Sequence, residues 1–111
     1  NRHLSLCGSQ FTVGCGRQCN LWLNDPAVSN VLCKLKLTKR GASSVGLLEI
    51  TGDKGAVQVN GWNYRKNCRL ILNAGDEVVF ISDKKNVLEY YAYVSFYTCF
   101  GCFFGEKFGH V

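Results

Sequence analysis

Short runs of aliphatic, aromatic and β-branched residues, separated by turn-forming clusters, most constrain what this chain can fold into. Helical periodicity is almost absent, whereas runs such as "VLCKLKL" and "EVVFI" recur between stretches such as "TGDKG" and "NAGDE". Gly, Asn and Asp adopt the backbone conformations that tight turns require, so this punctuation is typical of antiparallel sheets. The sequence therefore predicts an all-β chain, either a sandwich or a barrel.

Eight strands are predicted, at residues 10–13, 21–23, 32–37, 45–50, 57–59, 69–72, 77–81 and 90–96. Side chains alternate between the two faces of a strand, so the odd-numbered positions from Cys33 to Leu37 share one face. If that face meets the core, the other face displays two lysines and Leu32.

The composition indicates one compact domain. The chain has 111 residues, of which 47% are hydrophobic and 19% are charged, so it can bury enough apolar surface to fold. No apolar run approaches the roughly 18 residues that span a bilayer, and we expect a soluble, unsecreted chain without a membrane partner. The seven cysteines are an odd number, which favours free thiols in the cytoplasm or nucleus over a disulfide framework.

The net charge of +5 indicates an anionic partner only weakly, because 13 basic residues against 8 acidic ones are spread along the chain. Fourteen aromatic residues accompany them, but no aromatic and basic cluster resembles an RNA-binding sheet. We therefore do not expect nucleic acid as the partner.

Candidate catalytic groups are scarce. The only histidines, His3 and His110, lie near the chain ends, so no hydrolytic triad is visible. The segment "GCGRQC" lacks the Lys-Ser or Lys-Thr pair of a nucleotide-binding loop and the third glycine of a dinucleotide fingerprint. We expect no enzyme, no cofactor and no small-molecule substrate.

The cysteines leave a metal or redox role open as a lesser alternative. Cys99 and Cys102 have the spacing of half a zinc site, and Cys15 with Cys19 is the only other close pair in position to complete it. A thioredoxin-like use of "CFGC" would need a helix after the first cysteine, which the sequence does not indicate. We assign no metal ligand.

Several segments together resemble the forkhead-associated (FHA) domain. These are "FTVGCGRQCNLWLNDPAVSNVLCKL", "LLEITGDKGAVQVNG" and "LNAGDEVVF", in the order of the family's glycine loop, "S-x-x-H" motif, "NG" hairpin and "GDE" strand. The sequence of these segments is most similar to the FHA domain of a group of plant AAA-type ATPases. The resemblance covers residues 10–96 and implies an antiparallel, FHA/SMAD-like β-sandwich with binding loops at one end.

The resemblance implies the family's usual function, docking of a phosphothreonine peptide, in a weakened or altered form, because the phosphate pocket is degenerate relative to the family pattern. The phosphate-binding arginine follows the loop glycine, and that position holds Cys15; the histidine of "S-x-x-H" is replaced by Leu32. The resemblance implies five candidate phosphopeptide-binding residues, some of which match the family pattern while others replace it: Ser29, Arg17, Asn30, Lys54 and Asn60. Arg17, two positions further along the loop, is a hypothetical substitute for the missing arginine and not a match to the family pattern, and Asn60 is expected to buttress the loops.

We therefore predict a non-enzymatic interaction module that binds a phosphothreonine or other protein segment in intracellular signalling. The predicted division is an N-terminal extension (1–9), the FHA-like domain (10–96) and an aromatic, cysteine-containing tail (97–111). The alternative function is phosphate-independent protein binding or self-association through the loop end or the tail. If the parent chain is an ATPase, its nucleotide site lies outside these residues.

Overall fold

The computed structural model describes the backbone of residues 2–5, 10–73, 75–83, 92–99 and 102–109, and most side chains of residues 10–83. Within them the chain forms eleven strands: β1 (Arg2–Ser5), β2 (Phe11–Gly14), β3 (Leu21–Trp22), β4 (Cys33–Arg40), β5 (Ser43–Ile50), β6 (Ala56–Val59), β7 (Trp62–Tyr64), β8 (Arg69–Leu72), β9 (Glu77–Ile81), β10 (Ala92–Cys99) and β11 (Cys102–Gly109). The described residues include no helix long and apolar enough to cross a membrane.

The strands form two sheets. One has six strands in the order β1-β11-β10-β9-β6-β7, and the other has five in the order β3-β2-β4-β5-β8. Pairing is antiparallel among the described strands except between β2 and β3, which run parallel over two residue pairs. The predicted all-β sandwich is confirmed.

All eight predicted strands are present, with ends that differ by up to three residues. The remaining strands, β1, β7 and β11, were not predicted. β1 pairs with β11, and β11 pairs with β10 from Ala92↔Gly109 to Cys99↔Cys102. The predicted division at residue 96 therefore falls inside β10.

The core lies between the two sheets and follows the expected alternation. The buried cluster from the five-stranded sheet includes Val13, Cys33, Leu35, Leu48, Ile50 and Leu72, and that from the six-stranded sheet includes Val57, Val59, Val78 and Phe80. Burying a side chain the size of Phe80 contributes about 1.5–3 kcal/mol. Since the core-facing residues repeat at every second position, a shift of one residue in register would expose the cluster.

The prediction that Leu32 is displayed on the surface is wrong. Leu32 is completely buried in the core cluster. The reason is that β4 begins one residue later, at Cys33, so the alternation of that strand does not extend to Leu32. Its backbone links two other segments: its N–H donates to Val13 O at 2.7 Å, and its carbonyl accepts from Thr51 N and Gly52 N.

The connections divide between the two ends of the sandwich. At the end that we call the Ser29 end lie residues 15–20, 23–32, 51–55, 65–68 and 82–83, which follow β2, β3, β5, β7 and β9. The opposite end, the Asn60 end, holds the β4–β5, β6–β7 and β8–β9 turns. The Ser29 end thus gathers the predicted binding loops.

Candidate functional site

Ser29 joins two segments of the Ser29 end. Its backbone N–H donates to Lys54 O at 3.0 Å, and Lys54 N donates to Ser29 Oγ at 2.9 Å. The hydroxyl in turn donates to Asp53 Oδ1 at 3.2 Å. Ser29 is only 9% exposed, and these bonds fix its side chain in one orientation.

The loop of residues 15–20 attaches to the same segment. Cys15 N donates to Ser29 O at 2.9 Å, and Gly16 N donates to Asn30 O at 3.0 Å. The Cys19 thiol also donates to Asn30 O, at 3.1 Å. Three stretches of chain that are distant in sequence therefore meet around Ser29 and Asn30.

Two glycines permit this close approach. A Cβ at Gly52 would lie 2.5 Å from Ser29 Cβ and 2.7 Å from Ser29 Oγ. A Cβ at Gly14 would lie 2.6 Å from the Asn30 carbonyl carbon and 2.8 Å from Val31 Cα. The absence of a side chain at both positions is what allows the backbones to pack against the Ser29 segment.

A shallow polar depression of about 390 Å³ opens beside Ser29. Its lining residues are Ser29, Asn30, Val31, Thr51, Gly52, Asp53, Lys54 and Lys66. Two lysines and one aspartate give the lining a net charge of +1. Backbone amides, hydroxyls and ammonium groups of this kind suit an anionic, hydrogen-bonding ligand.

Lys54 contributes a partly anchored cation. Its Nζ donates to Pro26 O at 3.1 Å, while its backbone bonds to Ser29. An ammonium group has three donors, so this bond leaves donors for a ligand. Lys54 is thus held over the site without being neutralised by a described ion pair.

Lys66 lines the depression although the sequence analysis did not select it. It belongs to the turn between β7 and β8, which is pinned to the end of β5: Asn67 N donates to Ile50 O at 2.8 Å, and Ile50 N donates to Cys68 O at 3.0 Å. Asn67 has a φ of 77°, a left-handed conformation that Asn tolerates in turns. The basic turn "YRKNC" is the signal in the sequence, but its spatial neighbours depend on this tertiary pairing.

Arg17 is not among the residues that line the depression. Its guanidinium carbon lies 5.3 Å from the centre of the Trp22 ring, within the range of a cation–π contact. Trp22 Nε1 donates to Cys15 O at 3.0 Å, which holds the ring against the loop. Arg17 is therefore engaged with Trp22, outside the residues that line the depression.

Asn60 lies at the Asn60 end and not beside Ser29. It comes six positions after Lys54, and the four residues of β6, about 13 Å of extended chain, lie between them. Its side chain donates to Asp76 Oδ1 and accepts from Glu77 N, both at 3.0 Å. Asn60 has the contacts of a buttress between two turns, and the structure does not bring it to the other candidates.

The described cysteines are free thiols, at positions 15, 19, 33 and 68. Burial, and secondarily the neighbouring Cys19, raises the pKa of the Cys33 thiol far above its ordinary value, which keeps it protonated. No group of three or more metal-binding side chains occurs among the residues with described side chains. The Cys99 and Cys102 side chains of the zinc alternative lie outside the described ones.

Arg65 and Asp83 connect chain segments that adjoin the site residues Ser29 and Lys54. Arg65 Nη1 donates to Asp83 Oδ1 at 3.1 Å and to Gly55 O at 3.2 Å, while Asp83 N donates to Ala27 O. A hydrogen bond from the Gly55 backbone, assisted by Arg65, holds the pKa of the Asp83 carboxyl below its ordinary value. The ionised carboxylate is therefore the form that ties these segments together.

We expect Asp83→Asn to lower the stability at neutral pH by less than about 1 kcal/mol, because the ion pair is partly exposed to solvent. A lowered folded-state pKa stabilises the protein above the unfolded pKa of about 3.9 and loses that effect as the pH falls through the folded value. Thermal unfolding of both proteins between pH 7 and pH 2.5 checks this. The two melting temperatures should converge at acid pH, and a constant difference would contradict the assignment. Glu77→Gln, an exposed acid at the Asn60 end, is the control.

No family model matches the chain, and no curated protein matches it. Solved structures do match. An engineered FHA domain with a Myc-pTBD peptide has a TM-score of 0.59 at 22% identity, over 92% of this chain and 67% of that chain. The N-terminal FHA domain of Rad53p from S. cerevisiae, in complex with a phosphothreonine peptide, has a TM-score of 0.57 at 21% identity, over 92% and 68%. The Slr1951 protein from Synechocystis sp. has a TM-score of 0.50 at 16% identity, over 70% of this chain and 88% of that chain. The chain therefore has the fold of the FHA domains.

Proposed function

We propose that this chain is a protein-interaction module that binds a phosphothreonine-containing segment at the depression beside Ser29. The observation that carries the proposal is the convergence of a fixed serine hydroxyl, an exposed asparagine and two lysines in one polar recess. A phosphate group offers about two negative charges and three acceptor oxygens, which such donors satisfy. Solved FHA domains of the same fold, among them that of Rad53p, hold a phosphothreonine peptide.

Each candidate residue receives a role in this proposal. Ser29 and Lys54 bind the phosphate, and Asn30 bonds to the main chain of the peptide. Lys66 supplies the second cation, in place of the arginine that the family has at the position of Cys15. Arg17 assists only after leaving Trp22, and Asn60 acts indirectly by bracing the Asn60 end.

The finer parts of the sequence interpretation stay predictions. They are the closer relation to the FHA domain of plant AAA-type ATPases, the weakened phosphate pocket, the division at residues 9 and 96, and a nuclear or cytoplasmic location. The free thiols at the described cysteines support an intracellular location. A role in binding without catalysis is likewise proposed.

An NMR titration tests the proposed function. The ¹⁵N-labelled chain is titrated with a degenerate phosphothreonine peptide pool and with the same pool unphosphorylated. We expect phosphate-dependent shifts at the amides of Ser29, Asn30, Lys54 and Lys66. If these amides do not respond to the phosphorylated pool, the proposal fails.

Phosphate-independent protein binding is the second candidate, and the exposure of Trp62 favours it. Trp62 is 72% exposed, although on β7 it pairs with Val59 of the core, and with Ile71 it borders a groove of about 590 Å³ between the edge strands β7 and β8. Exposed aromatic side chains beside unpaired strand edges are typical of interaction surfaces. In the same titration, this alternative predicts equal shifts around Trp62 with both peptide pools.

Restoring an arginine at position 15 should strengthen phosphopeptide binding about tenfold, because a charge-assisted hydrogen bond contributes about 1.5–3 kcal/mol and part of this is lost in ordering the side chain. Cys15 is suitably placed, since its backbone bonds to Ser29 and its Sγ lies 3.9 Å from Asn30 Oδ1. Isothermal titration of Cys15→Arg measures the gain. Gln18→Arg adds the same charge at an exposed position of the loop. Equal affinities of the two variants would show that position 15 does not face the phosphate.

A further inference from the structure

The Asp53 carboxylate accepts the hydrogen bond that the Ser29 hydroxyl would otherwise donate to a phosphate. Ser29 Oγ carries one proton, which it donates to Asp53 Oδ1 at 3.2 Å, and it accepts from Lys54 N at 2.9 Å. A hydroxyl has only one proton to donate. In this arrangement Ser29 therefore has none left for a ligand.

The charge of Asp53 acts in the same direction. The carboxylate lies in the lining of the depression together with Lys54 and Lys66, the two groups that attract an anion. An ionised carboxylate and a phosphate both only accept hydrogen bonds from these donors, and like charges a few ångströms apart destabilise each other. An unphosphorylated threonine differs, because its hydroxyl donates to a carboxylate without repulsion.

We propose that Asp53 is a specificity-determining residue of this site, which limits its preference for phosphothreonine over threonine by holding the Ser29 hydroxyl and repelling the phosphate. The inference rests on the proposed function. A phosphopeptide binds by displacing the Asp53 carboxylate from Ser29. The preference for the phosphorylated over the unphosphorylated peptide is therefore smaller than Lys54 and Lys66 would produce without Asp53.

The test is the ratio of the dissociation constants for an unphosphorylated and a phosphorylated threonine peptide, measured by isothermal titration. Asp53→Asn removes the charge while keeping the size of the side chain, and we expect the ratio to rise at least about tenfold. Glu77→Gln makes the same change in net charge at the Asn60 end, and its ratio should change by less than about twofold because solvent and salt screen that distance. Both substituted residues are exposed, so the variants should fold, which thermal unfolding verifies.

The outcomes separate the inference from the proposed function. If the wild type prefers the phosphopeptide but Asp53→Asn gains no more than Glu77→Gln, the inference is overturned and the function stands. If only Asp53→Asn discriminates, the inference is supported and the native chain is not a phosphopeptide binder. If no variant discriminates, the function is overturned together with the inference.

A second substitution tests the part played by the hydroxyl. The variant for this test is Asp53→Ala, because an asparagine at position 53 keeps an oxygen that accepts the Ser29 proton. In a Ser29→Ala background, Asp53→Ala relieves the repulsion but has no Ser29 hydroxyl to release. The measured quantity is again the ratio of the two dissociation constants. We expect the substitution at position 53 to raise the logarithm of this ratio by less than about half as much as it does in the wild-type background, since coupled residues are not additive. If the ratio rises as much as in the wild-type background, Asp53 and the phosphate do not compete for the Ser29 hydroxyl.

Discussion

Gly14→Ala should destabilise the protein by about 3 kcal/mol and lower its melting temperature by about 15 °C. The added Cβ would meet backbone atoms, with Asn30 C at 2.6 Å and Val31 Cα at 2.8 Å. Backbone atoms that are held by hydrogen bonds, as the Asn30 carbonyl is, move less easily than a side chain does. The clash would also separate Cys15 and Gly16 from the Ser29 segment, to which they bond.

Gly61→Ala is the matched control for this prediction. Gly61 has a φ of 89°, but no neighbouring atom lies within 4 Å of its would-be Cβ. The control therefore carries backbone strain of about 1–2 kcal/mol without a clash. Chemical denaturation of the two variants distinguishes the causes: if Gly14→Ala were no less stable than Gly61→Ala, the close packing at Gly14 would be refuted.

Ser29→Ala should weaken phosphopeptide binding about tenfold to a hundredfold, because the variant loses a charge-assisted hydrogen bond to the phosphate. It should also cost about 1–3 kcal/mol of stability, since Lys54 N loses its acceptor in a largely buried place. Fluorescence anisotropy with a labelled phosphopeptide measures the first effect, and thermal unfolding the second.

The binding measurement is made at a temperature at which both proteins are fully folded. Asn63→Ala, in the middle of β7, removes a side-chain hydrogen bond with Gln58 but should leave the affinity unchanged. An affinity of Ser29→Ala equal to that of the wild type would exclude Ser29 as a phosphate ligand.

The sequence predicted the strands whose apolar residues alternate between clear turn signals. β8 and β9 have the same ends in prediction and structure. β7 was missed because it has only three residues with Asn63 in the middle, and it is a strand only by virtue of its pairing with β6. Local propensity does not contain such a tertiary cause.

The candidate site was predictable where spatial contact follows from the order of the motifs. Ser29, Asn30 and Lys54 come together, as the resemblance implied. Lys66 was not predictable, because only the bonding of its turn to Ile50 brings it to the depression. Asn60 is the opposite case: it is close to Lys54 in sequence, but an extended strand carries it to the other end of the sandwich.

The reciprocal bonds between Ser29 and Lys54 tie two segments of the Ser29 end, residues 23–32 and 51–55, to each other. Each residue's amide proton is held by the other residue, 25 positions away in the sequence. These two amides exchange with solvent only when the two segments separate, so their exchange rates report the integrity of the site in the absence of any ligand. A substitution anywhere in the core that raises this opening rate would lower the fraction of molecules competent to bind, without altering a single contact residue.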